Sequence, residues 1–524
     1  MDVDSKNTWL YTNNTNYSNK SPYLKGVDLL IQKVLFSRKL KIACLLFILF
    51  AFTVFAINGG DPFEPEESDF SGLSWTESFS LLHKRMSEEY AFTEWKGIEW
   101  DTLWKNTWEK VVKAQQNTDF DAFYIAIREY LHAIPDGHVS CTNLDEIDKK
   151  FTGAGFGFSI SKVVNGRIIV TWVDEGSSAW LAGLRPEAEL LEWNGVNALE
   201  ALSDVSTVFT GNSATIEDLE LKKALFLVRA PAGTLATITF IDKNSVSPKT
   251  ISLLSFEDEG ITYKKSYPKS IVSDGLRDAF IDNPNPDPLP ESMVETAVLE
   301  EKILYIKIWG ELDADLTGSG NAPSTLDLFR NAVYNAIVTP YKGIIIDLRN
   351  NIGGLDEMAA AILGSFYSKT TFYEYLFAYN KYTKTRELIT TDVDTASEAL
   401  FIRPAHDYYY GRVIALVNSK CVSSGEGIAM GIRNLPNGDT LGFFGTNGSF
   451  GLSGSSALIP GSLTIRWPSG QSLDINKRIQ LDSQNGVGGV PPSIRIPMTV
   501  TNAIRVANGE DVELEEAVRY LLSK

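Results

Sequence analysis

Two short apolar runs, each stopping on turn-forming residues and followed by helical spacing, organise the C-terminal half of the chain. Residues 343–348 (GIIIDL) read as a buried strand that Asp347 and Arg349 bring to an end. Asn350, Asn351, Gly353 and Gly354 then make a turn, and residues 358–366 take up helical spacing. Residues 413–417 (VIALV) repeat the design: the run stops at Asn418 and Ser419, small residues surround Ser423 and Ser424, and Glu426 opens a helix. Residues 298–309 (VLEEKILYIKIW) read as a strand, and the strand–helix alternation from there to about residue 412 predicts an α/β core. Upstream the pattern differs. Residues 75–133 are helical, beginning with residues suited to capping (SWTE) and repeating the apolar spacing over 120–131. Residues 153–256 carry short strands (RIIVTWV at 167–173, then LLEWNG), a turn at 174–177 and a short helix at 179–182, which predicts a small β-rich module. Residues 261–296, rich in Pro, Asp, Asn and Ser, read as a linker.

One further run stands apart. Residues 42–57 (IACLLFILFAFTVFAI) are 16 apolar positions, short of the ~20 that span a bilayer comfortably. Seven basic and three acidic residues precede the run, a net of +4, with Arg38, Lys39 and Lys41 against it; Asp61, Glu64, Glu66 and Glu67 follow. By the positive-inside rule the first 41 residues stay in the cytoplasm and the bulk is exported. A single-pass anchor is expected, with a signal segment cleaved after Ala56 as the alternative and a buried core helix as the plain structural reading.

Composition narrows the function. With 44% hydrophobic and 22% charged residues over 524 positions, the chain is globular and long enough for two or three domains. A net charge of −18 disfavours nucleic-acid binding, which needs a basic surface. Cys44, Cys141 and Cys421 form no disulfide framework, and four scattered histidines with no C-x-x-C or H-E-x-x-H give no metal site. No cofactor is implied. A serine between a strand end and a helix start is where nucleophiles of α/β hydrolytic enzymes sit, since the turn exposes the hydroxyl and the helix N-terminus offers backbone N–H groups. Serine is also an ordinary helix cap. The paired glycines suit a close backbone approach, though any α/β domain has strand–turn–helix units.

Taken together, these segments resemble the carboxyl-terminal processing and tricorn-core proteases. DLRNNIGG is similar to that family's DLR-x-N-x-GG signature, and VNSKCVSSGE to its nucleophile turn, with Cys421 where the family has Ser or Thr. IPDGHVS at 134–140, GFGFSI followed by VDEGSSAWLAGL and LLEWNG, and GGVPPSIRIP at 488–497 resemble further family segments in family order. The resemblance covers roughly residues 70–515. It implies an α/β (α+β) multidomain protein: a cytoplasmic tail at 1–41, an anchor or signal segment at 42–58, a helical subdomain with the catalytic histidine at 70–150, a PDZ-like domain at 151–260, and a ClpP/crotonase-like α/β catalytic domain at 290–518.

The resemblance also assigns roles. The family's lysine-dyad branch has its base at the position of Leu452, which cannot accept a proton. The Ser–His branch is therefore implied, with Ser423 as nucleophile, three residues before Glu426, and His138 as base. Ser424 is the rival serine; its N–H, with Gly353 or Gly354, would form the oxyanion site, and Glu426 would be a cap or structural carboxylate. The family's glutamate position falls on Gly486, so Asp482 is the candidate acid. Gly155, Phe156, Gly157 and Phe158 would form the PDZ-like peptide-binding loop, the two phenylalanines lining its pocket. The expected function is a membrane-anchored serine endopeptidase acting on exported polypeptides. The alternatives are an inactive relative that binds peptides or hydrophobic ligands, as retinoid-binding relatives do, and a plain esterase. Oligomeric state is left open.

Overall fold

The computed structural model describes residues 61–64, 67–265, 292–299, 302–314, 324–391 and 397–524. The expected tail at 1–41, the apolar run at 42–57 and most of the 261–296 linker lie outside the described residues. Among the described residues, no helix is long and apolar enough to cross a membrane. Contacts divide the chain into Met1–Pro62 and Phe63–Lys524, and the second unit carries the architecture.

Its centre is a six-stranded sheet in the order Val294–Leu299, Ile303–Ile308, Gly343–Asp347, Val413–Leu416, Gly438–Gly442, Ile494–Arg495. The first pair is antiparallel and the others are parallel. A parallel sheet needs cover on both faces, which is why the central strands Gly343–Asp347 and Val413–Leu416 are near-continuous apolar runs rather than alternating ones. Helices Thr325–Val338, Asp356–Leu363 and Ser424–Arg433 cover one face. Val500–Ala507 and Val512–Leu522 cover the other. The stretch 298–309, expected as one strand, is a hairpin. The polar residues after Leu299 break its apolar run, and Lys302, at φ 61°, turns the chain.

Two strands of this sheet position the site. Gly343–Asp347 and Val413–Leu416 are adjacent and parallel, with Asp347 opposite Leu416, so the loops after them emerge side by side. In α/β sheets ligands bind at the carboxyl ends of strands. Asp347 and Arg349 are structural: Arg349 pairs with buried Asp347 and Glu513 and with half-buried Asp511, and Tyr305 donates to Asp347 Oδ2 at 2.8 Å. This network pins the strand end to the start of the C-terminal helix.

The N-terminal helices Trp75–Glu89, Trp100–Asn117 and Phe120–His132 do not form a core by themselves. They share one with a hairpin from the distant C-terminal half, Ser453–Ile459 and Leu463–Pro468, which pairs with Glu67–Asp69 and Ser140–Cys141. The capping expected at the first helix is present, with Ser74 and Glu77 exchanging backbone-to-side-chain bonds at 3.3 and 3.4 Å. The β-rich module is an antiparallel sheet in the order Lys249–Leu254, Leu235–Ile241, Glu189–Trp193, Ile168–Val173, Phe158–Lys162. The N-terminal end of its helix Ile216–Leu227 docks against the loops that hold Ser419, Gly445 and Gly486. The Ile216 N–H donates to the Gly486 carbonyl (2.9 Å), the Gly445 N–H to Glu217 (2.8 Å) and the Ser419 hydroxyl to Asp218 (2.9 Å).

Candidate active site

Ser423 caps helix Ser424–Arg433 with φ 56° and ψ −130°, a backbone region that L residues avoid. Such strain costs on the order of 1–3 kcal/mol and is held only where the surroundings enforce it. Here they do. The Ser423 N–H lies 3.2 Å from Glu426 Oε2 and 3.1 Å from the Ser449 carbonyl. Glu426 is buried and also accepts from the Thr446 hydroxyl (2.6 Å) and from the N–H groups of Gly448 (2.7 Å) and Ser449 (3.0 Å). Burial pushes its carboxyl up to about 7, against the pull of these bonds. Glu426 is thus the structural carboxylate expected, tying the nucleophile turn to the 446–449 loop. No hydrogen bond among the described residues engages the Ser423 hydroxyl.

Ser424 is placed differently. Its hydroxyl is buried, 2.9 Å from both the Gly354 carbonyl and Asp356 Oδ1. A hydroxyl engaged in this way is a strut, which leaves Ser423, half-buried, as the candidate.

The glycine loop lies against the serine. A Cβ on Gly353, at φ 80°, would sit 2.7 Å from Ser423 Cβ, so only glycine fits there. Asparagines clasp the two loops together. Asn418 Oδ1 accepts from the Asn350 N–H (3.0 Å), Asn418 Nδ2 donates to Asn350 Oδ1 (2.9 Å), and the Val422 N–H donates to the Asn351 carbonyl (3.1 Å). Of the expected oxyanion donors, the Gly353 N–H is committed to Asn351 Oδ1 at 2.8 Å. The N–H groups of Gly354 and Ser424 make no hydrogen bond among the described residues. Asn351 is held by Glu311, which accepts from its Nδ2 at 2.8 Å and is pushed up to about 8 by burial.

The loop that carries His138 is tied to this site through Ser449. The carbonyl of Ser449 accepts from Ser423 N–H, while its hydroxyl accepts from the Gly137 N–H at 2.8 Å. The imidazole is buried and, among the described residues, neither ring nitrogen has a hydrogen-bond partner. Burial pulls its pKa down and Lys96 adds to this, while Asp136 opposes them, so the ring is neutral and able to accept a proton. Asp482, the expected acid, is not brought to the imidazole. Lys96 holds its Oδ1 at 2.6 Å, and the Phe450 N–H reaches its Oδ2 at 3.2 Å. The carboxylate nearest the ring is Asp136, whose Oδ1 lies 3.9 Å from His138 Nδ1. Its place two residues before the histidine in PDGH is the signal the sequence carries for it.

The expected peptide-binding loop is also corrected. Phe156 and Phe158 are buried in the core of their own module, Phe156 edge-on to Trp193 with centroids 5.3 Å apart. Gly155 is paired with strand residues on both sides, and the Gly157 carbonyl accepts from Asp174. These four residues build the module and leave no aromatic surface to line a pocket. Leu452 makes backbone bonds to Gly470 and puts no base near Ser423, and Lys420 lies over the Tyr263 ring at 5.8 Å. Among the described residues, no group of His, Cys, Asp and Glu could hold a metal.

Acyl transfer by a serine needs a hydroxyl released from structural duty, a base and backbone donors for the oxyanion. These loops offer all three, which is the chemistry of serine-type hydrolases. Residues 302–496 match the family model described as Peptidase family S41, so the chain carries an S41-type serine peptidase domain over that stretch. The fold agrees with solved structures of CPAF. The mature protein complexed with lactacystin superposes with a TM-score of 0.58 at 15% identity, covering 86% of this chain and 98% of that one. Mature CPAF without it gives 0.57 at 14%, covering 86% and 98%. No curated protein matches the sequence.

Proposed function

We propose that this chain is an exported, membrane-anchored serine endopeptidase that hydrolyses polypeptides through Ser423, with His138 as the general base. The observation that carries the reading is the Ser423 turn: a strained serine with an unengaged hydroxyl, packed on Gly353 and tied through Ser449 to the loop of a buried neutral histidine. His138 takes the hydroxyl proton as Ser423 attacks the scissile carbonyl, and the N–H groups of Gly354 and Ser424 receive the oxyanion. The β-rich module acts as the PDZ-like element that recruits or gates chains. Its strand Phe158–Lys162 ends the sheet with an unpaired edge beside helix Ile216–Leu227, where an extended peptide could add as a further strand. The charge asymmetry around residues 42–57 supports anchoring with the bulk exported.

A second reading has its own observation. With Gly353 N–H occupied and the imidazole unpartnered, the same fold suits a relative that binds peptides or hydrophobic ligands without cleaving them. Unfolded polypeptide substrates decide. Cleavage by the full chain, abolished in Ser423→Ala with binding retained, supports the peptidase. Binding without cleavage by either protein supports the second reading, and turnover of small esters alone points to an esterase.

A further inference from the structure

A serine–histidine pair works fastest when a carboxylate holds the imidazole by Nδ1, leaving Nε2 for the hydroxyl. The position where the resemblance places that carboxylate is Gly486, whose carbonyl is bonded to the Ile216 N–H. Two buried carboxylates remain near His138, and the structure separates them. Lys96 claims Asp482: its ammonium meets Oδ1 at 2.6 Å, both side chains all but fully buried, and it also donates to the Pro135 carbonyl (2.9 Å) and Ser483 Oγ (2.8 Å). Asp136 is held otherwise. Its Oδ2 accepts from the Tyr90 hydroxyl at 2.8 Å, and its Oδ1 accepts from the His138 backbone N–H at 2.8 Å and faces the His138 ring at Nδ1. Resting catalytic hydrogen bonds are often long and tighten when substrate binds.

We infer that Asp136, in the same tight turn as the histidine, is the positioning residue that orients His138 through Nδ1, and that Asp482 instead neutralises Lys96. This rests on Ser423 and His138 acting as proposed above. The groups that face the ring are Asp136 and Lys96, with Tyr90 and Asp482 behind them. Burial and the neighbouring Asp136 charge push the Asp482 carboxyl up while Lys96 pulls it back, so the ammonium beside it, and not the imidazole, is the cation that Asp482 answers.

The test is the pH profile of Ser423 acylation by a fluorophosphonate, measured on the full chain. Asp136→Asn keeps an oxygen for the His138 N–H but removes the charge. It should slow labelling at neutral pH by about 100-fold or more and move the acid limb to lower pH, with partial recovery in Asp136→Glu. Asp482→Asn should stay within about tenfold and keep the wild-type limb. A profile unchanged in Asp136→Asn, or a larger loss in Asp482→Asn, would overturn the assignment. Should a variant fail to fold, isotope-labelled histidine in the wild-type protein decides. A proton on His138 Nδ1, assigned by its loss in His138→Gln, supports the assignment, and a proton on Nε2 alone overturns it. If the wild-type chain is not labelled at Ser423 at all, it is the peptidase reading that fails.

Discussion

Single residues divide the labour at the site more sharply than the sequence suggested. Adjacent serines look interchangeable in CVSSGE, yet one hydroxyl is unengaged and the other is fixed between Gly354 and Asp356. Ser423→Ala should abolish peptide cleavage. Ser424→Ala should reduce it less than tenfold while lowering stability by about 1–2 kcal/mol, as for a lost buried hydrogen bond, measured by denaturant unfolding. The buried carboxyl of Glu311 sets a pH dependence. Between its ordinary 4.5 and the folded value of about 8, the folded chain keeps a proton that the unfolded chain has released. Stability is therefore complete below that window and falls as pH rises through it, by about 1.4 kcal/mol per unit at most. Glu311→Gln, which can still accept from Asn351, should flatten the decline of Tm between about pH 6 and 8. An unchanged slope would place the effect elsewhere.

At the level of elements, most of what matters was legible. The apolar runs 343–348 and 413–417 are buried parallel strands, and the turns after them carry the glycines and serines as their composition indicated. Two failures have physical reasons. Residues 298–309 hide a hairpin because only Val298 and Leu299 of its first strand fall in that stretch, and a short polar break separates them from the apolar second strand. The Phe156 and Phe158 rings were assigned to a pocket because a motif shows residue types and not burial. The asparagine clasp was legible only in part: Asn350 and Asn418 are ordinary turn residues until the sheet puts their loops side by side. Asn418→Ala removes three hydrogen bonds, to the Asn350 N–H, Asn350 Oδ1 and the Lys420 N–H. A loss of about 2–3 kcal/mol in denaturant unfolding is expected, with slower labelling of Ser423 as the loops part.

Across the whole unit Phe63–Lys524, the proposed catalytic groups come from distant sequence. The loop of His138 is delivered by a helical layer whose core is completed by the hairpin Ser453–Ile459 and Leu463–Pro468, whereas the turn of Ser423 rests on the core of the central sheet, so the proposed base and nucleophile are carried by two different cores. No local pattern could show this, because strand pairing between residues 140 and 466 is set by tertiary contacts alone. Trp467 is fully buried in that core, under the Arg85 guanidinium at 5.2 Å. Trp467→Ala should cost about 3–5 kcal/mol and lower Ser423 reactivity more than a similar truncation on the far face of the central sheet, such as Leu521→Ala. Equal effects would mean that the hairpin does not position His138.

The central claim is that Ser423 is an activated nucleophile served by His138. A fluorophosphonate probe on the full chain, followed by peptide mapping, tests it directly. The account predicts a single adduct on Ser423 that disappears in His138→Ala while the variant stays folded. An adduct on Ser424, or labelling of Ser423 that persists without His138, would contradict it.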